Sequence, residues 1–73
     1  MSFLGKFFAP IYVGMANGRF LQKKYDKAVV LYDKACKMDP RNERMEHIYS
    51  CLGRSYFGIG ENKKAVEKLS KSY

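Results

Sequence analysis

The sequence is short of the residues that most chemistry needs. Its 73 residues contain one histidine, two cysteines and seven acidic side chains. With a single histidine no Ser-His-Asp set stands out, and no glycine loop of the phosphate-cradling kind occurs. No carboxylate pair falls in an obvious acid–base arrangement. Enzyme readings therefore fail, and nothing calls for a cofactor. Cys36 and Cys51 are too few for the disulfide framework of a small secreted domain. They read as reduced thiols of a cytoplasmic protein. Long apolar runs are missing too. The apolar start continues to Ala16 but is interrupted by Gly5, Lys6, Pro10 and Gly14, short of the roughly 18 to 20 residues that cross a bilayer. A secretory signal places positive charge ahead of its apolar region. Here only Lys6 is available, and it lies inside the run. Ser2 removes the N-myristoylation motif. There is no Gly-Ser linker, no low-complexity tract and no period-two strand pattern.

What is present is globular in composition: 47% apolar, 15% aromatic and 29% charged residues. A chain this short holds one small domain, which buries only about 60% of its unfolded surface. Fourteen basic residues against seven acidic give a net charge of +7. The excess sits in the first 42 residues, with eight basic against three acidic side chains. Such a balance suits an acidic protein surface, anionic lipid or nucleic acid. A lysine-rich solvated helical surface explains the same numbers.

Apolar spacing marks four helices. The first is expected from about Ala9 to Gln22, with Pro10 in the first turn, where its missing N–H costs nothing. The second runs from about Tyr25 to Met38, carried by Ala28, Val29, Leu31, Tyr32, Ala35 and Cys36, and Asp39-Pro40-Arg41-Asn42 stops it. The third runs from Glu43 or Glu46 to Gly58. The fourth starts at Glu61 or Asn62, with Ala65, Val66 and Leu69 on one face. Short loops imply antiparallel neighbours. The chain also repeats itself. Tyr12 and Tyr49, Ala28 and Ala65, Val29 and Val66, and Lys34 and Lys71 are each 37 residues apart.

These residues resemble the tetratricopeptide repeat family, whose unit of about 34 residues is a pair of antiparallel helices. With Pro40 as the closing proline, the first unit spans residues 9–42. Its large aromatic is Tyr12, its leucine position Met15, its small residue Ala16 and its inter-helix aromatic Tyr25. Ala28, Tyr32 and Ala35 follow, before Asp39-Pro40. The second unit spans residues 46–73, after the insertion Glu43-Arg44-Met45. It carries Tyr49, Leu52-Gly53, Tyr56, Gly60, Ala65 and Leu69. Arg19 stands where an aromatic is usual, Asn62 departs as well, and Ser72 replaces an alanine. The resemblance implies an all-α fold: two antiparallel helical hairpins stacked as a short α-solenoid. It also implies a non-catalytic scaffold or adaptor with a concave groove for a protein or peptide partner.

The family's groove-facing positions fall on Val13, Asn17, Phe20 and Leu21 in the first unit. In the second they fall on His47, Ser50, Arg54 and Phe57. Asn17 and Arg54 could hold a peptide backbone or carboxylate. Phe20 and Phe57 could bury an apolar anchor, or belong to the inter-helix core. One subtype of the family clamps a C-terminal carboxylate with Lys, Asn and Arg residues. Only Asn17 matches that set; Val13 and Cys51 replace two others, so chaperone-tail binding is not expected. His47 and Cys51 lie four apart on one helix and could both face a metal. A structural zinc site needs four ligands, so no metal is expected.

Two repeats are fewer than the three that usually close a core. The chain is therefore a fragment of a longer array, a self-associating unit that packs Leu69 and Tyr73 on another copy, or a fold capped by residues 2–8. Residues 1–8 also support a rival function. Phe3, Phe7, Ile11 and Met15 recur every four residues, as do Leu4, Phe8 and Tyr12. This stripe could lie on an anionic membrane surface, or pack on the second helix. Pro10 argues against one helix running through it. A third class, nucleic-acid binding through Lys23, Lys24, Lys27, Lys34 and Lys37, is disfavoured by the interleaved Asp26, Asp33 and Asp39.

Overall fold

The computed structural model describes residues 3–72. It is helical, with α1 at Phe3–Leu21, α2 at Tyr25–Met38, α3 at Met45–Gly58 and α4 at Asn62–Ser72. The last three match the spacing of the sequence. The first corrects it: α1 begins six residues before Ala9 and runs through Pro10. A mid-helix proline removes one backbone donor and crowds the preceding turn. The helix continues because its added turns are docked on one side. Gly5 and Ala9 are buried and extend the seam of Val13 and Ala16, while Pro10 stands on the exposed side. Residues 4–8 therefore lengthen α1 rather than fold back as a cap.

Contacts between elements run in opposite directions along the chain. Asn17 meets Tyr32, Tyr12 meets Lys34 and Phe20 meets Tyr25, so α1 and α2 are antiparallel. Tyr49 meets Lys68 and Lys71, while Tyr56 meets Lys64, so α3 and α4 are antiparallel as well. Helix α2 also lies along α3, and α1 touches α3 only lightly. Among the described residues α4 packs against α3 alone.

The connections repeat at the level of single hydrogen bonds. After α1, the Lys23 N–H donates to the Phe20 carbonyl at 3.0 Å and the Lys24 N–H to the Arg19 carbonyl at 2.9 Å. After α3, the Gly60 N–H donates to Phe57 at 3.1 Å and the Glu61 N–H to Tyr56 at 2.8 Å. Each is the paired closure of a left-handed helix C-terminus, one copy 37 residues after the other. Gly60 takes its left-handed backbone at φ +84°, where glycine fits. Lys23 does so at φ +61° without that freedom.

One apolar cluster joins the helices. It contains Val13 and Ala16 of α1, Ala28, Val29, Tyr32 and Ala35 of α2, Ile48, Cys51, Leu52 and Tyr56 of α3, and Ala65 of α4. Small residues set the spacing. A Cβ on Gly53 would stand 2.6 Å from Leu69 Cγ and 3.2 Å from the Ala65 carbonyl oxygen. Leu69 is thus half-buried against α3. Tyr73 lies outside the described residues.

Candidate functional site

The eight residues expected in a groove do not share one environment. On α3 they share one face. His47, Arg54 and Phe57 are exposed and Ser50 is half-buried, at the i, i+3, i+7 and i+10 spacing of a single helix side. Phe57 is 47% exposed, so it is a surface aromatic and not inter-helix core. On α1 the four residues part company. Val13 is only 5% exposed and belongs mainly to the core, with its edge on the wall of a cleft. Its α1 neighbours Ala9 and Ala16 are fully buried, and the same side of the helix carries all three. Phe20 is half-buried, edge-on to Tyr25 with ring centroids 5.7 Å apart. Leu21 is exposed at the end of α1.

Asn17 sits at the junction. The buried Tyr32 hydroxyl donates to its Oδ1, and His47 Nε2 lies 3.4 Å from the same oxygen. Burial pushes the Tyr32 phenol well above its ordinary range, and Cys51 adds to the shift, so the hydroxyl stays protonated as the donor. With Oδ1 engaged, the two N–H donors of Nδ2 are what Asn17 can offer a ligand. The contact with His47 makes the open face of α3 continuous with the α1 side of the molecule.

Beside Asn17 lies a cleft of about 250 Å³, walled by Pro10, Val13, Gly14 and Asn17 of α1 and by Asn42, Glu43 and Arg44 of the α2–α3 connection. A second hollow of about 400 Å³ adjoins it through Pro10, Asn42 and Glu43, and adds Lys6, Asp39 and Arg41. The connection is held in shape by Asn42. Its Nδ2 donates to Asp39 Oδ2 at 3.3 Å, and its Oδ1 accepts the Arg44 N–H at 2.8 Å. Arg41 and Asn42 were readable only as part of the stop after α2, and Glu43 and Arg44 only as part of an insertion between repeats. Their charge pattern was the available signal, and their place opposite residues 10–17 exists only in the folded chain. The cleft is mixed in charge, with Lys6, Arg41 and Arg44 against Asp39 and Glu43. It suits an extended polar segment more than an apolar one.

His47 and Cys51 do come together. Cys51 Sγ lies 3.7 Å from Nε2 and 4.0 Å from Nδ1 of His47. Among the described residues no third His, Cys, Asp or Glu joins them in a metal-ligand group. Cys51 is 8% exposed within the apolar cluster, a place where the thiol is hard to reach. Cys36 and Cys51 are both free thiols. Burial pushes the Cys36 thiol up, and nearby Asp33 adds to the shift against the pull of Lys68 and Lys71. On the far side of α3, Tyr56 donates to Asp33 Oδ2 at 3.0 Å. Burial, then that bond and the Asp33 charge, push the Tyr56 phenol up to about 12.

No helix among the described residues is long and apolar enough to cross a membrane. No family model matches the chain, and no curated protein or solved structure matches it either.

Proposed function

We propose that the chain is a non-catalytic protein-interaction module made of two helical hairpins of tetratricopeptide type, binding an extended peptide segment of a protein partner. The observation that carries this reading is the adjacency of the α1–loop cleft to the open face of α3, joined at the Asn17–His47 contact. Two hairpins stacked in one direction put their first helices on a common side. The paired turn hydrogen bonds at equal offset support the stacking. So do the cation–π contacts of Lys34 with Tyr12 and of Lys71 with Tyr49, which match at the same offset of 37 residues.

A peptide crossing this surface would meet Asn17 Nδ2 and Arg44 in the cleft, then His47, Ser50 and Arg54, with Phe57 as an apolar stop. The net charge of +7 favours an acidic segment. Selection from a random peptide display library tests the reading. Acidic peptides should be enriched. Arg44→Ala and Arg54→Ala should each weaken the selected peptides by about tenfold, the scale of one charge-assisted contact, with thermal melting unchanged. Amide shifts on peptide addition should map to Gly14, Asn17, Arg44, His47 and Arg54. Failure to enrich any peptide, or shifts confined to α4, overturns the reading. Asn17→Ala is the poorer probe, because it also strips the buried Tyr32 hydroxyl of its acceptor.

A further inference from the structure

Helix α1 is apolar on two opposite sides. One side, through Gly5, Ala9, Val13 and Ala16, is buried. The other is open: Leu4 is 61% exposed, Phe7 61%, Phe8 41%, Ile11 51% and Met15 52%. At 100° per residue these five side chains fall within an arc of roughly 100° and run about 16 Å along the helix. At its C-terminal end the stripe meets a hollow of about 590 Å³, formed by Met15 and Arg19 of α1 with Asp26, Lys27, Val30 and Leu31 of α2. A helix apolar all round is ordinarily covered on every side. Here the buried side fixes the helix, and the open side presents a rigid ridge of Phe, Leu, Ile and Met.

Charge decides what covers the ridge. Helix α1 contains no carboxylate; its Arg19 lies beside the ridge with Lys27 of α2, while Lys6 faces the hollow at the α2–α3 connection. The first 42 residues hold eight basic and three acidic side chains. Of those three acids, Asp33 accepts the Tyr56 hydroxyl and Asp39 accepts Asn42, both away from the ridge. Only Asp26 borders the ridge, beside Arg19 and Lys27. Around the ridge the cations Arg19 and Lys27 outnumber the single carboxylate of Asp26, so a second copy would set like net charge against like. A convex ridge needs no matching socket in a fluid surface, and an anionic surface supplies the missing charge. We infer that the outer face of α1 docks in the plane of an anionic lipid bilayer, with Leu4, Phe7, Phe8, Ile11 and Met15 in the acyl boundary and the flanking cations at the headgroups. This surface is separate from the proposed peptide face, so either can fail without the other.

The test uses vesicles of phosphatidylcholine, with and without phosphatidylglycerol. The wild-type chain should partition onto the phosphatidylglycerol vesicles and much less onto phosphatidylcholine alone. The double variant Phe7→Glu, Ile11→Glu alters two exposed positions, so it should keep its circular dichroism and lose partitioning by at least about tenfold. The sequence has no tryptophan, so single tryptophans report position. Phe7→Trp emission should shift to the blue on the anionic vesicles, and Val66→Trp on α4 should not shift. Unchanged partitioning of the double variant overturns insertion and leaves adhesion by charge alone. Equal shifts at both tryptophans also overturn it. Absence of wild-type partitioning overturns it outright. If sedimentation then shows a dimer that the double variant dissolves, a second copy is the occupant.

Discussion

Lys23 closes α1 with a left-handed backbone at φ +61°, at the position that Gly60 occupies after α3 with φ +84°. Replacing Lys23 by glycine isolates the backbone from everything else. The Lys23 side chain is exposed, so its loss removes no core contact. The hydrogen bonds to Phe20 and Arg19 are made by backbone groups that glycine retains. The left-handed conformation costs a residue with a Cβ about 1–2 kcal/mol. Glycine returns about 0.5–1 kcal/mol of that through the greater freedom of its unfolded chain. The net expectation is a gain of about 1 kcal/mol. In a chain of this size that raises the melting temperature by about 4–8 °C. The mirror substitution, Gly60→Ala, should lose a similar amount. No atom lies within 4 Å of its new Cβ, so the loss is conformational and not steric. Thermal melts followed by circular dichroism, with chemical denaturation as a second measure, test both. A Lys23→Gly variant that melts at or below the wild-type temperature refutes the left-handed closure, and with it the equivalence of the two turns.

Three further outcomes are expected. Ala28 is fully buried between helices, and Ala28→Leu should overfill that site and destabilise by about 1–3 kcal/mol, read as a lower midpoint in urea. Pro10→Ala should restore the backbone donor that the helix lacks there and slow amide exchange in residues 6–14, with an overall gain of up to about 3 kcal/mol. The Tyr56 phenol is raised to about 12 in the fold, so its contribution is complete below the unfolded value near 10 and is lost as pH rises through the folded value. Melting temperature should therefore fall across that alkaline window, and Tyr56→Phe should fall less steeply.

Much of the helix pattern was legible because it rests on local rules. Tyr25–Met38 reads cleanly because its apolar residues recur at helical spacing and Asp39-Pro40 ends them. Gly58 and Gly60 mark the end of α3 by the same logic. Pro10 misled because the local rule against mid-helix proline competes with a tertiary seam, through Gly5 and Ala9, that no single-window reading sees. Leu69 reads equally as an outward or an inward residue until Gly53 is known to face it. The cleft could not be read at all, since its walls come from residues 10–17 and 42–44, and their juxtaposition depends on how α2 turns the chain. Of the groove positions, those on α3 kept a common solvent face. Val13 did not, because α1 turns that side to the core.

The helices touch mainly in the order in which the chain makes them, α1 on α2, α2 on α3 and α3 on α4, with a lighter contact of α1 on α3. Contacts of that kind close short loops, and low contact order goes with folding in microseconds to milliseconds. Either end can nucleate, and the other can add to it by nearest-neighbour steps. Strain or damage in α4 then reaches the rest of the fold mainly through α3. Helix α4, packed on α3, should open and reclose before the remainder melts.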